Sequence, residues 1–471
     1  MKLDISISNF GKIKKAEINI RPFTVIAGKN SSGKSFVTKS LYSFFSTINK
    51  DYISIQAYEK IDELSDITYV LIGSPAGWSQ REETLLDELL LSIENLSELT
   101  IKIFGSNAYV NQLLTADQLK KPIADAESIF QLFLNEISGK QQFLDASDYF
   151  EEIEGGFKAL KALSASPKEC LSADIQSELL NALKENFQVA SLQELKNYHL
   201  DDSNPTTFNF KHLGQVDIQG EELAFSLDDN SIDSIQKLHN VVYLESPVYW
   251  KMKTALLNEQ FRNRGSSLRR YNKEESLTGV PQHFYNLVEL LSTQAKTLHN
   301  IELHQGLNDS IGGEISISST GELNFLEKGA PRGTNLHNTA LGVTNLGIIS
   351  LLLKKGVLSK GSFLFIDEPE VHLHPAWQKV MIETLYELSK QGVNIVIASH
   401  SIDMMKCVEN IMQQLPEAEM AEHFGINQLN IEGESVDESP YPLRRIAAIK
   451  ADLGESFADM MMESGFSWDD K

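Results

Sequence analysis

Residues Gly28-Lys29-Asn30-Ser31-Ser32-Gly33-Lys34-Ser35 follow the pattern G-x-x-x-x-G-K-[ST]. They sit between an apolar pentad, Phe23 to Ala27, and a run from Phe36 to Phe45 in which Val37, Ser40, Leu41 and Phe44 recur at helical spacing. The pattern has a physical meaning only as a turn that joins the end of a strand to the start of a helix, and this context supplies both. Glycines let the backbone curl so that its N–H groups face phosphates, and the helix N-terminus adds partial positive charge. In that geometry Lys34 neutralises the β and γ phosphates and the Ser35 hydroxyl takes one Mg²⁺ position. Gly28, Lys29, Asn30, Ser31, Ser32, Gly33, Lys34, Ser35 and Phe36 are therefore the expected nucleotide-binding residues.

A chain of 471 residues, 42% of them apolar, has room for two or three domains with large cores. The longest apolar run, Leu346 to Leu353, is interrupted by Gly347 and Ser350 and falls short of the ~18 to 20 residues that cross a bilayer. The opening Met1-Lys2-Leu3-Asp4-Ile5-Ser6 alternates like a strand and lacks an apolar signal core, so a cytoplasmic protein without membrane contact is expected. Cys170 and Cys407 lie far apart without metal-ligand spacing, which supports neither a disulfide framework nor a zinc site. The formal charge of −23 makes the average surface repel nucleic acid, so any DNA contact must be local. One stretch reverses the trend: Lys251, Lys253, Arg262, Arg264, Arg269, Arg270 and Lys273 are opposed only by Glu259, with Phe261 and Tyr271 interleaved. It reads either as a phosphate-contacting loop or as a solvated face or internal partner for acidic segments.

The first 45 residues read as strand, turn, strand, strand, phosphate loop and helix. A matching half begins only after residue 310: a hairpin of Glu314 to Ser318 and Glu322 to Leu326 around Ser319-Thr320-Gly321, a helix at Gly342 to Lys355, a strand at Ser362 to Ile366, a helix at Ala376 to Lys390 and a strand at Asn394 to Ala398. The spacing predicts an α/β fold whose P-loop head is assembled from two sequence-distant lobes. The expected boundaries are 1–50 for the N-terminal lobe, 51–240 for a mainly helical acidic insert, 241–415 for the C-terminal lobe and 416–471 for an acidic terminal segment with mobile last residues. Leu85 to Ile93 and Leu179 to Leu183 carry the insert's helical periodicity. No sustained heptad predicts a long coiled-coil arm.

The second element with chemistry is Leu364-Phe365-Ile366-Asp367-Glu368-Pro369-Glu370. An apolar strand that ends in two carboxylates sets Asp367 to hold Mg²⁺ and Glu368 to orient or deprotonate an attacking water. Consecutive strand residues point oppositely, but where the strand ends the chain turns and both side chains can face the phosphates. The third is Ile395-Val396-Ile397-Ala398-Ser399-His400-Ser401. A lone histidine is usually structural, yet after a second buried strand some thirty residues beyond the acidic pair, His400 is read as reaching the γ-phosphate.

Together these elements resemble the ABC-class ATPases, in particular the branch of RecF, the structural-maintenance-of-chromosomes proteins and the overcoming-lysogenization-defect (OLD) proteins, and within it the AAA-15/AAA-21-type ATPases. The resemblance covers Ile7 to Gly11 through Ser35, Tyr243 to Pro247, Ile311-Gly312-Gly313, and Asn338 to Ser401, but neither the insert nor the tail. It implies an ABC-type head, ATP and Mg²⁺ as ligands, and two heads meeting face to face as a dimer or within a larger homo-oligomer. Each site is then completed by a signature helix from the opposite subunit. Here that segment departs from the common Leu-Ser-Gly-Gly-Gln and reads Thr339 to Gly347, so Gly342 and Asn345, with Thr344 in reserve, are assigned by position to the partner's γ-phosphate. A plain buried helix start is the competing reading. Glu370, His372 and His374 follow the acidic pair and become candidate interface contacts; the two histidines read as interface or packing residues more readily than as a metal pair. Gln56 is a weak candidate for the family's glutamine loop.

Larger OLD relatives carry a nuclease domain that needs an Asp-x-Asp cluster. None occurs after His400, so no nuclease activity is expected in this chain. The expected function is an ATP-hydrolysing sensor or regulatory subunit of a prokaryotic anti-phage defence system that controls a separately encoded effector, a nuclease or toxin. The alternative is a RecF-like DNA-binding ATPase of repair or recombination that uses residues 251–273.

Overall fold

The structure is a computed structural model that describes residues 1–74, 77–104, 115–140, 146–199, 204–228, 238–253, 256–257, 279–292, 301–318, 322–436 and 439–463, without the side chains of 456–458 and 461–463. Strands β1 (Leu3–Phe10) and β2 (Ile13–Ile20) alternate buried and more exposed residues and pair antiparallel, Leu3 opposite Ile20. Strand β3 (Phe23–Ala27) is buried at every residue, as expected of a strand covered on both faces; its one polar member, Thr24, donates its hydroxyl to the Arg21 carbonyl. Helix α1 (Lys34–Ile48) follows the phosphate-loop motif.

The chain divides into two compact units, the first made of Met1–Asn49, Glu178–Asp228 and Lys237–Lys471, the second of Lys50–Ser177 and Asp229–Gln236. The second unit is helical. Its α2 (Tyr52–Ile72), α3 (Gln80–Phe104), α4 (Lys120–Ile137) and α5 (Ser147–Ala165) bury apolar stripes such as Leu86, Leu89, Ile93 and Leu96, one turn apart on α3. The boundary between the units falls within α6 (Pro167–Phe187).

The insert read from sequence over 51–240 is therefore too long. Residues 178–228 belong to the unit that holds the phosphate loop, including Leu179 to Leu183, which the periodicity had grouped with the helical insert. They carry β4 (Thr206–Phe210), β5 (Gly214–Gln219) and β6 (Glu222–Leu227), which extend the first hairpin into an antiparallel sheet of order β2-β1-β4-β5-β6. Stacking of Phe44 of α1 on Phe210, with ring centroids 3.7 Å apart, packs the phosphate-loop helix against this sheet.

Beyond it come β7 (Val241–Leu244), α7 (Gln282–Ser292), α8 (Ile301–Ile311), the hairpin β8 (Gly313–Ile317) and β9 (Leu323–Glu327), and the short β10 (Thr334–Asn335). The expected hairpin is present; its turn residues 319–321 lie outside the described residues. Next are α9 (Leu341–Lys354), β11 (Phe363–Asp367), α10 (Pro375–Lys390) and β12 (Asn394–Ser399), within a residue or two of the sequence reading, and then α11 (Ile402–Met412), which that reading did not include.

After α12 (Glu417–His423), the segment expected as an acidic tail instead supplies β13 (Phe424–Gln428) and α13 (Pro442–Glu463). Strand β13 is the edge of the central sheet, whose order is β13-β3-β12-β11-β7 with every neighbouring pair parallel. Its first residues, Phe424 to Asn427, are buried, so they belong to the head's core; the last residues, 464–471, lie outside the described residues. Parallel pairing sets the C-terminal ends of β3, β12 and β11 along one edge, where functional loops of open α/β sheets collect.

Candidate nucleotide site

That edge gathers all three sequence-read elements. The loop Gly28 to Gly33 leaves β3 and enters α1 with Ser31 at φ 64°, a left-handed conformation uncommon for a residue with a side chain. A Cβ on Gly28 would lie 2.6 Å from both the Leu429 carbonyl oxygen and Ser32 Oγ, so only glycine fits there. The Lys34 ammonium is buried and donates to the carbonyls of Gly28 and Lys29 at 2.9 and 3.0 Å, which leaves one of its three protons uncommitted. Burial pulls its pKa below the ordinary lysine range while Asp367, Glu368 and Glu370 push it back, which sets these three carboxylates close to the ammonium. Ser32 Oγ is buried and, among the described residues, has no hydrogen-bond partner.

Asp367, the last residue of β11, is 7% exposed. Burial pushes its carboxyl up to about 6; the Ser35 hydroxyl opposes this, and the charge of Glu245 adds to it. Oδ2 accepts from the Tyr243 hydroxyl at 3.3 Å, whereas Oδ1 is buried with no hydrogen bond of good geometry among the described residues. A buried carboxylate oxygen beside a serine hydroxyl suits a hard divalent cation, so Ser35 and Asp367 fit the expected Mg²⁺. Among the described residues no cluster of three His, Cys, Asp or Glu ligands exists.

At Glu368 the backbone switches to φ 51° while its N–H still bonds the Ala398 carbonyl at 2.9 Å. The switch turns the side chain outward, so Glu368 is 45% exposed where Asp367 is buried. His400 Nδ1 stands 3.7 Å from Glu368 Oε1 and 3.2 Å from Glu370 Oε1, distances at which a protonated ring attracts both carboxylates.

The other residues singled out from the sequence take the following places. Glu370 is 9% exposed, and its Oε1 accepts from the Ser399 hydroxyl and the His400 backbone N–H at 3.0 and 2.9 Å, clamping the end of β12 from within the chain. His374 caps α10 through Ala376 N–H, and the exposed His372 sits at φ 63°. Thr344 is fully buried with its hydroxyl on the Ala340 carbonyl, so its side chain is not offered to another subunit. Gly342 is packed under the acidic loop, where a Cβ would lie 2.6 Å from the His372 carbonyl oxygen. Asn345 is half-buried and donates to the Val371 carbonyl at 3.4 Å. The Phe36 ring packs on Phe10 and Phe187, with centroids 5.8 and 5.5 Å away, so only its backbone remains for phosphate. Lys29 pairs with Asp452 and Glu455 of α13 at 3.0 and 2.9 Å. Gln56 lies in α2 and donates to Asp174. Of the basic stretch, residues 258–278 lie outside the described residues.

Sequence reasoning missed the polar cluster behind Asp367. Glu245 meets Lys39 Nζ at 2.7 Å and His283 Nε2 at 3.1 Å; burial raises its pKa, but these two partners outweigh it and bring the carboxyl down to about 2. His283 is itself held below the ordinary histidine range by burial, against the pull of Glu245, and its backbone N–H donates to Asn186 Oδ1. The one signal on α1 is that Thr38 and Tyr42 stand one helical turn apart with Lys39 beside them, a strip with little to set it apart in a helix that also carries Ser40, Ser43, Ser46 and Thr47. Nothing in the linear order links that strip to residue 245 or 283.

The sequence profile of the family described as AAA ATPase domain (AAA_15) matches residues 1–405. The chain is similar to the energy-coupling factor transporter ATP-binding protein EcfA of Methanococcus maripaludis, with 27% identity over 93 residues that make up 20% of this chain and 34% of that protein. It thus spans about a third (34%) of the length of the curated relative it matches. Among solved structures it is similar to the Smc head domain with an extended coiled coil, bound to the C-terminal domain of ScpA, from Pyrococcus furiosus, at 12% identity, 99% of each chain covered and a TM-score of 0.31. A second is the SMC head domain from Thermotoga maritima, at 11% identity, 86% of this chain and 92% of that chain covered, and a TM-score of 0.29.

Proposed function

This chain belongs to the family of AAA ATPase domains, and from that premise we propose that it binds ATP with Mg²⁺ at the edge where β3, β11 and β12 end, and hydrolyses it to ADP and phosphate. The observation that carries the reading is the convergence of Lys34, Asp367, Glu368 and His400, brought from three strands to within reach of one another's charges. Lys34 holds the β and γ phosphates, and the loop N–H groups with the start of α1 surround them. Ser35 and Asp367 would hold Mg²⁺, which when bound neutralises charge on the phosphate oxygens. Glu368 orients the attacking water and accepts its proton as the water oxygen bonds the γ-phosphorus and the bond to the bridging oxygen of ADP breaks. His400, held beside Glu368 and Glu370, meets the γ-phosphate.

Glu368→Gln tests this directly. ATP binding, followed with a fluorescent analogue, is expected to persist while turnover falls by about 10²- to 10⁴-fold, the usual contribution of a general base; wild-type turnover would sink the assignment.

In its finer form the reading is a homodimer or larger assembly whose sites are completed by the α9 start of a second copy, through Gly342 and Asn345, and which controls a separate effector in anti-phage defence. Its test is a pull-down together with a duplex-binding assay: co-purification with a neighbouring gene product and no measurable duplex binding would support it. The basic sequence between Lys251 and Lys273 favours the other reading, a RecF-like DNA-binding ATPase. Steeply salt-dependent DNA affinity that Arg269→Ala and Arg270→Ala weaken decides for that one.

A further inference from the structure

We propose that Tyr243 is a positioning residue for Asp367: its hydroxyl fixes Oδ2 of the carboxylate so that Oδ1 is left for the divalent cation. The inference rests on the ATPase reading above. Tyr243 pairs with Phe365 across β7 and β11, two residues before Asp367, so the tyrosine ring and the aspartate side chain project from the same face of the sheet. The ring is 1% exposed and is enclosed by Tyr42, His283 and Phe365, with centroids 5.4, 4.6 and 6.3 Å away. A phenylalanine would fill this space equally well, and a buried hydroxyl costs free energy unless it is hydrogen-bonded.

Its bonds have one consistent assignment. The phenol lies 3.3 Å from Asp367 Oδ2 and 3.0 Å from Thr38 Oγ1. A carboxylate offers only lone pairs, so the tyrosine proton goes to Asp367; the single Thr38 proton, whose other acceptors are the Lys34 and Ser35 carbonyls at 3.3 and 3.4 Å, goes to the nearer tyrosine oxygen. Thr38 belongs to α1, the helix that carries Lys34 and Ser35. The chain Thr38 to Tyr243 to Asp367 therefore ties the phosphate-binding helix to the acidic strand through two hydroxyls, and it holds the carboxylate by one oxygen. The other oxygen, buried and without a hydrogen-bond partner among the described residues, stays oriented for the cation.

The test is a Mg²⁺ titration of the full chain with a fluorescent ATP analogue, read as binding rather than turnover. Tyr243→Phe is expected to leave affinity in EDTA unchanged and to raise the Mg²⁺ concentration for half-maximal enhancement about tenfold, the scale of one hydrogen bond to a charged group. Thr38→Val, which removes the donor to the tyrosine, is expected to raise it about threefold on the scale of a neutral hydrogen bond. A Tyr243→Phe midpoint equal to wild type overturns the proposal. Should that variant fail to melt cooperatively, an unshifted Thr38→Val midpoint overturns it instead. If the wild-type chain binds no nucleotide with Mg²⁺, the ATPase reading falls and this proposal with it; if it binds and both variants match it, only the positioning role falls.

Discussion

Glu245, just beyond β7, and Asp367, at the end of the neighbouring β11, are both taken out of water, yet the first is brought to about 2 and the second pushed to about 6. Burial acts in the same direction on both. The difference lies in partners: Glu245 has Lys39 and His283 in contact, whereas Asp367 has hydroxyls in contact, feels Lys39 and Lys34 without an ion pair to either among the described residues, and is repelled by Glu245 and Glu368. A charge neutralised by the protein itself holds the fold together. One only partly compensated is destabilising until a further cation arrives, which is a property of a binding site.

Removing each carboxylate separates the two roles. Asp367→Asn is expected to lower Mg²⁺-dependent ATP turnover by about 10³-fold, because a metal ligand acting on the transferred phosphate is lost. The same variant, without Mg²⁺, is expected to be no less stable than wild type in urea unfolding; a large loss of stability would erase the contrast. Glu245→Gln is expected to do the reverse, costing about 3 kcal/mol of unfolding free energy by leaving Lys39 and His283 without their counter-charge, while nucleotide still binds.

The smallest effect is in pH. The folded pKa of Asp367, about 6, lies above its ordinary value of 3.8, so the folded state binds more protons between these values and metal-free stability falls as pH rises through that window. Relative to Asp367→Asn, wild type is expected to lose about 1 kcal/mol between about pH 5 and pH 7, and saturating Mg²⁺ is expected to abolish the loss. The depressed pKa of Glu245 works oppositely: its contribution is complete above 4.5 and disappears as pH falls towards 2.

Much of the nucleotide site is legible in linear order because its parts are local. The loop between Gly28 and Ser35, the apolar run ending in Asp367-Glu368 and the run ending in Ser399-His400 each join a strand to its exit, so pattern and spacing carry the chemistry. Strands fully buried in a parallel sheet also announce themselves as unbroken apolar runs. The Glu245 cluster is not legible, since Lys39, Glu245 and His283 meet only through the packing of α1, β7 and α7. Residues 206–227 do alternate, with Phe208, Phe210, Val216, Ile218, Leu223 and Phe225 buried, but in runs of five or six residues, the first of which finds its partner strand β1 some two hundred positions earlier, and Phe424 to Gln428 lie in an acidic stretch whose charge hides a core strand.

The sequence by itself determined that a phosphate loop, an acidic strand end and a histidine strand end exist, since each depends on residues adjacent in the chain. Only the tertiary structure decided which strands are neighbours. The order β13-β3-β12-β11-β7 sets Tyr243 beside Asp367 and closes the sheet with a strand from near the end of the chain. Hydrogen-bond pairing between strands and burial in a shared core act without regard to sequence separation, so the electrostatic difference between Glu245 and Asp367 arises only in the folded molecule.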